Sequence, residues 1–254
     1  MMLKDSSFPQ VSERLPHAVL DIESRRKKAL KIERLLNLSE RKQPIRMLEI
    51  GTGSGGIAHY FATHPTISCN VTAVDVVDQR MIHDGFVFTL VNDTYLPFED
   101  GEFDVVLSNH VIEHVGSENA QACHLQEIHR VMSSEGIGYV ATPNRWMIIE
   151  PHYRLAFLSW LPKIMRDHYV RLSRRGKCYD CLPLTQKKLE YLFQTTGFAY
   201  LNICTKALKE TLVIEAHYGT LVRSVAKLPD NFLDRLSSVN PTLIYVLMKR
   251  KSTR

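Results

Sequence analysis

Nowhere in the 254 residues is there a run of about 18 uncharged apolar side chains, so no stretch is built to cross a bilayer as a helix. The first twenty residues, MMLKDSSFPQVSERLPHAVL, lack the compact apolar block of a secretory leader, and a cytoplasmic location is the expectation. Cysteine is scarce. The chain has five, an odd number that suits reduced thiols better than a disulfide framework. Cys178 and Cys181 have CxxC spacing, but no second pair accompanies them. A four-cysteine zinc site therefore has no support, no metal is expected, and the two read as loop or cap cysteines. Neither sign of charge dominates: 32 basic against 27 acidic residues leave +5, which permits an anionic substrate without requiring one. Internal repeats and low-complexity tracts are also missing.

What is present is an alternation of short apolar runs with helical periodicity. Strands are expected at 45–50, 69–77, 87–91, 103–108, 136–141, 199–205 and 241–248, and helices at about 11–40, 57–61, 118–132 and 184–196. Such an order implies a Rossmann-like, doubly wound α/β fold with a mostly parallel sheet of about seven strands. An N-terminal helical segment (1–43) precedes the main domain (44–254). Two stretches are too long for plain connections and read as helical cap insertions, at about 144–183 and 208–240. The basic run Arg25–Lys28 reads as a solvated helix face.

The most informative segment is Leu48-Glu49-Ile50-Gly51-Thr52-Gly53-Ser54-Gly55-Gly56, a strand running into a glycine turn. In sheets of this kind ligands sit at the carboxyl ends of the strands, where strand order reverses. Gly51, Gly53 and Gly56 fit G-x-G-x-x-G, a spacing that dinucleotide sites share. Glu49 separates the two cases. A carboxylate beside the turn opposes a pyrophosphate. It favours a nucleoside ligand that carries positive charge instead, as S-adenosylmethionine does with its ammonium and sulfonium. Asp75, ending the strand TAVD, can accept from two ribose hydroxyls, and Asp93, after FVFTLV, from an adenine amino group while the Thr94 amide donates. Both acids also suit ordinary turns.

Taken together, LEIGTGSGG, VDVVDQR, NDTYLPFEDGEFDVVLSNHVIEHV and LQEIHRVMSSEGIGYVATPN resemble the class I S-adenosylmethionine-dependent methyltransferases of the UbiE/Coq5-like group, over residues 45–143, the helix at 184–198 and the final strand. The resemblance implies that Gly51 to Gly55, with Thr52 and Gly53, cradle the methionine part of the cofactor. It implies that Asp75, with Val76, holds the ribose, that Asn92, Asp93 and Thr94 contact adenine, and that Asn109, His110 and Val111 border the transferred methyl. Ser134-Glu135-Gly136 replaces the family's usual proline-glycine turn. The segment TPNRWMIIEPHYRLAFLSWLP resembles a subgroup associated with cell-surface polysaccharide or glycolipid assembly; the expected acceptor is a small molecule or a sugar- or lipid-linked one, methylated at oxygen.

Methyl transfer is an in-line displacement in which positioning supplies much of the acceleration, and an oxygen nucleophile of high pKa also needs a base. His110, His114 and His152 are the candidates. His110 and His114 share a face if a helix begins that early, but two ligands alone do not make a metal site. Trp146, Tyr153, Phe157 and Trp160 recur at helical spacing and read as a helix packed on the core. Arg154, Arg166, Arg171, Arg174 and Arg175 make the cap basic, as a solvated surface or for an anionic acceptor. Nucleic acid is disfavoured, since no recognised binding module appears. Two other functions compete: an NAD-dependent oxidoreductase on the same sheet logic, and a non-catalytic cofactor-binding module.

Overall fold

The computed structural model describes residues 20–215, 228–235 and 240–251. Its main sheet has seven strands: β1 (Ile45–Ile50), β2 (Cys69–Asp75), β3 (Val87–Leu90), β4 (Phe103–Asn109), β5 (Met132–Pro143), β8 (Phe198–Asn202) and β9 (Thr242–Lys249). Across the sheet they stand in the order β3-β2-β1-β4-β5-β9-β8. The first five are parallel, and β9 runs antiparallel to both β5 and β8. The expected Rossmann-like α/β architecture is thus the observed one. Strand order reverses between β1 and β4, which places the ligand crevice at their carboxyl ends.

β1 is central, so it is apolar on both faces: Met47, Leu48 and Ile50 are buried between β2 and β4. Helices cover the sheet. α1 (Ile22–Leu36) begins where the Asp21 side chain accepts from the Glu23 amide, and ends at Asn37 with φ 51°. It buries Ala29, Ile32, Leu35 and Leu36 against α2 (Gly56–Ala62) and α6 (Cys204–Ile214). α3 (Glu118–Val131) is capped by Ser117 and α5 (Gln186–Thr195) by Thr185, each hydroxyl accepting from a first-turn amide. α7 (Asp230–Arg235) precedes β9. Of the expected N-terminal helix, residues 11–19 lie outside the described residues, as do residues 216–227 and 236–239 of the 208–240 insertion.

Four expectations need correction. The strand expected at 199–205 stops at Asn202, because the Asn202 side chain accepts from the Cys204 amide and turns the chain into α6. β5 begins four residues earlier than expected, where Met132 pairs with Phe103 across a register shift. Arg25–Lys28 is not simply a solvated face: only Arg26 is fully exposed, Arg25, Lys27 and Lys28 are half-buried, and the Lys31 ammonium donates to Thr211 Oγ1 at 3.2 Å.

The fourth concerns the cap aromatics, which lie on no common helix. Ile149–Glu150 (β6) and Leu155–Ala156 (β7) form a hairpin, followed by a 3-10 turn (Leu158–Trp160) and α4 (Lys163–Leu172). Arg154 and Phe157 have φ of 52° and 57°, left-handed values that interrupt any helix there. Tyr153 is buried in a small cap core with Leu155, Leu158, Val170, Tyr179 and Cys181. Trp146, Phe157 and Trp160 cluster edge-on and remain exposed. Arg166 is buried, donating to the Leu161 and Ser159 carbonyls, so it braces the cap instead of charging its surface.

Candidate active site

The glycine turn follows β1 and is held from both sides. Gly51 and Gly55 have φ of 75° and 79°. A Cβ on Gly51 would lie 2.5 Å from Val111 Cγ2, so the segment after β4 closes directly onto the turn. On one side Glu49, 2% exposed, accepts from Thr52 Oγ1 at 2.7 Å. Burial pushes its carboxyl up to about 8, against the pull of the Thr52 hydroxyl and the Ala58 amide. On the other side Asp75 Oδ2 accepts from the Gly53 amide at 2.9 Å, and Oδ1 from the Val76 amide at 2.7 Å. Burial raises the Asp75 pKa, and the amides of Gly53, Val76 and Val77 hold it back. Oδ1 also accepts from the Val77 amide at 3.4 Å, so it is Oδ2 that keeps a lone pair for a further donor.

At the tip of β3, Asp93 is exposed and its Oδ1 accepts from the Tyr95 amide at 2.7 Å, the geometry of a side-chain turn. Asn92 is exposed and Thr94 half-buried beside it. Val76 and Val77 present apolar surface at the tip of β2.

Arg25, which the sequence reading left on a solvated face, meets this turn. Arg25, on α1, packs its Cβ where a Cβ on Gly56 would stand, at 2.7 Å, and its Nε is buried. Arg25 Nε, Ser54 Oγ and Asn109 Oδ1 have no hydrogen-bond partner among the described residues. Buried polar atoms in native folds are paired, so three orphans around one turn suit a polar ligand. Lys28, one helical turn beyond Arg25, is pushed down to about 7 by burial and by Lys31 and Arg25. The basic run in α1 was the signal in the sequence, but only packing shows which of its members turn inward.

The histidines divide into two groups. α3 begins only at Glu118, so His110 and His114 do not share a helical face. His110 has φ 60° and its amide donates to the Ala141 carbonyl at 2.7 Å. What joins the two is Glu113, fully buried, whose Oε1 lies 3.3 Å from His110 Nδ1 and 4.0 Å from His114 Nε2. Its Oε2 accepts from Thr142 Oγ1 at 3.0 Å. Burial would raise the Glu113 pKa, but His110 and His114 outweigh it and keep the group ionised. Burial lowers the His110 pKa, which leaves a neutral imidazole near pH 7. His114 is drawn the other way, towards the cap, where its ring packs edge-on against His152 at 4.9 Å. His152 Nδ1 lies 2.8 Å from Glu150 Oε1. Burial lowers the His152 pKa, but Glu150, Glu113 and Asp180 raise it further. Sequence reasoning missed Glu113, Glu150 and Asp180, whose roles arise from burial.

Residues 48–140 match the family model described as a methyltransferase domain. That stretch, well under half of the chain, is similar to a methyltransferase domain. Its cofactor is S-adenosyl-L-methionine, and the polar atoms at the turn fit that group. The matched stretch runs from β1 to β5 and leaves α1, the cap and the last two strands outside it. Over 110 residues the chain is 29% identical to the cyclopropane-fatty-acyl-phospholipid synthase of Escherichia coli, a stretch that makes up 42% of this chain and only 28% of that enzyme. Among solved structures the domain is similar in fold to the YcgJ protein of Bacillus subtilis (TM-score 0.52, 15% identity, 88% of this chain and 99% of that one). It is also similar to the plantazolicin methyltransferase BpumL (0.55, 18%, 91% and 85%) and to phosphoethanolamine N-methyltransferase 2 of Haemonchus contortus (0.53, 15%, 87% and 52%). An oxidoreductase reading of the glycine turn is not favoured by these matches. No helix among the described residues is long and apolar enough to cross a membrane.

Proposed function

We propose that the protein transfers the methyl group of S-adenosylmethionine to an oxygen of a lipid- or sugar-linked acceptor received by the cap. The observation that carries the first half of this reading is the buried Glu49 beside the glycine turn. Its carboxylate, which accepts from Thr52, would hold the cofactor's ammonium, and the buried, unpartnered Arg25 Nε would hold its carboxylate. Asp75, already fixed by the Gly53 and Val76 amides, accepts from the ribose hydroxyls. Val76 packs on the nucleoside, and Asn92, Asp93 and Thr94 border the adenine. When bound, the cofactor supplies an activated methyl on sulfur, and the chain's task is to place an acceptor behind it.

For the base we assign His110 among the three candidates. It lies next to Val111, which touches the turn at Gly51, whereas His114 and His152 face each other at the cap. A neutral imidazole paired with ionised Glu113 takes the acceptor's proton, and Glu113 stabilises the imidazolium that results.

The acceptor class rests on the cap. A groove of about 710 Å³ is lined by Phe157, Leu161, Ile164, Met165, Tyr169 and Leu172, with Ile164 and Leu172 80% and 85% exposed. Exposed Lys163, Arg171, Arg174 and Arg175 surround α4. An apolar channel rimmed by cations suits an acceptor with an acyl or prenyl tail and an anionic headgroup. The E. coli relative is by name a synthase of a fatty-acyl phospholipid, which agrees with that class, as does the resemblance of the cap segment to glycolipid-associated enzymes.

The deciding experiment is isothermal titration with S-adenosylhomocysteine and, separately, NAD, followed by turnover assays with anionic lipid-linked saccharides and with the soluble saccharide alone. Micromolar binding of the homocysteine product only, and turnover that needs the lipid tail, is the expected result. NAD binding would overturn the reading of the turn. Equal turnover on the soluble saccharide would overturn the lipid part. Ile164→Asp is expected to lower turnover on the lipid-linked acceptor while leaving cofactor affinity unchanged.

A further inference from the structure

Where the cap meets the segment after β4, three metal-binding side chains converge that the methyl-transfer reading does not use. The ligand atoms of His114, His152 and Cys181 all lie within 4.8 Å of one another. Cys181 Sγ is 3.6 Å from His114 Nδ1 and 3.7 Å from His152 Nδ1. For a tetrahedral zinc ion with ordinary Zn–S and Zn–N bonds, neighbouring sulfur and nitrogen ligands stand about 3.6 Å apart. Both sulfur–nitrogen distances therefore match the spacing that the ion requires.

The surroundings favour a cation. Glu113 and Glu150 are buried, and among the described residues neither pairs with a lysine or arginine; their ionic partners are imidazoles. Asp180 is buried as well, accepts from the Tyr153 hydroxyl at 2.7 Å, and lies 3.5 Å from Cys181 Sγ. Buried carboxylates are costly unless paired or set against a metal. At His114 the Glu113 carboxylate stands off the ring nitrogen that faces away from Cys181, with Oε1 4.0 Å from Nε2, a position from which carboxylates orient metal-ligating imidazoles. At His152, Glu150 Oε1 lies 2.8 Å from Nδ1, the same nitrogen that faces Cys181, so a ligating Nδ1 gives up that contact and leaves Glu150 beside the ion's positive charge.

We propose that His114, His152 and Cys181 bind one divalent ion of the zinc class, which staples the cap to the methyltransferase core. Cys181 binds as the thiolate and releases its proton to solvent, no electrons move, and the fourth coordination position is left to water. His152 comes from the cap hairpin, Cys181 from the cap's end, and His114 from the turn after β4, so a single ion cross-links three separate stretches of chain. Cys178 is not part of the set, although sequence spacing pairs it with Cys181.

Elemental analysis of the full-length protein, purified without a metal-affinity step, tests this. About one zinc per chain, retained through dialysis, is expected. Reconstitution with Co²⁺ should give the strong visible bands of a tetrahedral site and a thiolate-to-cobalt charge-transfer band. Cys181→Ser and His152→Ala should each abolish that band, and Cys178→Ser should keep it. Circular dichroism and thermal unfolding of the same variants show that the core is folded, which keeps the outcome independent of the methyltransferase reading. Metal-free wild-type protein that yields no thiolate–cobalt band would overturn the proposal, as would loss of the band in Cys178→Ser.

Discussion

The Glu49 carboxylate and the Thr52 hydroxyl form a buried hydrogen bond of 2.7 Å across the mouth of the glycine turn. Because burial holds the carboxyl at about 8, the ligand-free protein is protonated there at pH 6 to 7. Binding an ammonium requires the ionised form, so a proton must leave. Affinity for S-adenosylhomocysteine is expected to rise as pH climbs from 6 towards 8, and to level off where the ligand's amino group loses its own proton. Glu49→Gln should flatten that slope and lower affinity at pH 8. Calorimetry in two buffers of different ionisation enthalpy reads the released proton directly. The ligand-free fold should also lose stability between about 4.5 and about 8, since the unfolded chain ionises at the ordinary value and the folded one resists.

Asp75→Ala should weaken S-adenosylhomocysteine binding at least tenfold, as expected for losing charge-assisted hydrogen bonds worth roughly 1.5–3 kcal/mol. The same substitution frees the Gly53 amide. Asp75→Asn, which keeps an acceptor for Gly53, should therefore lose less. Unchanged affinity in Asp75→Ala would remove the ribose assignment.

Gly51→Ala meets two obstacles, a left-handed backbone and Val111 Cγ2 at 2.5 Å. The expected cost is about 1–3 kcal/mol of stability from the backbone alone. Adding Val111→Ala should recover the steric part and leave the backbone part. Denaturant titration of the single and double variants separates the two.

His110→Ala should lower kcat by about 100-fold or more, the usual worth of a positioned base, with little change in cofactor affinity. Glu113→Gln should lower it less, since an amide still orients the ring. Wild-type turnover in His110→Ala would mean that the acceptor needs no base from this residue.

The parallel sheet was legible because its central strands β1 and β4 are bounded by turn residues and buried on both faces, which makes them apolar runs of strand length. The placement of the glycine turn was legible for a related reason: Glu49, Gly51 and Asp75 stand at strand ends, where position along the chain fixes position in space. The arrangement of the cap was not. Trp146, Phe157 and Trp160 recur at helical spacing, yet the left-handed turns at Arg154 and Phe157 send them into a hairpin and a surface cluster. Glu113 and Glu150 are ordinary acids in the sequence, and only burial beside imidazoles gives them chemistry. Arg25 and Arg26 are neighbours in one basic run, and which of them turns towards the glycines depends on how α1 rests on α2.

Among the described strands, the last along the chain is not the last in space. β9 lies between β5 and β8, so until residues 242–249 arrive, β5 has a bare edge of unpaired amides and carbonyls beside the site. A growing chain can assemble the first five strands, but they stay adhesive until the final segment slots in antiparallel and closes the gap. A ribosome stalled before residue 242 would release an aggregation-prone intermediate, and truncating β9 would turn an enzyme core into a template for self-association.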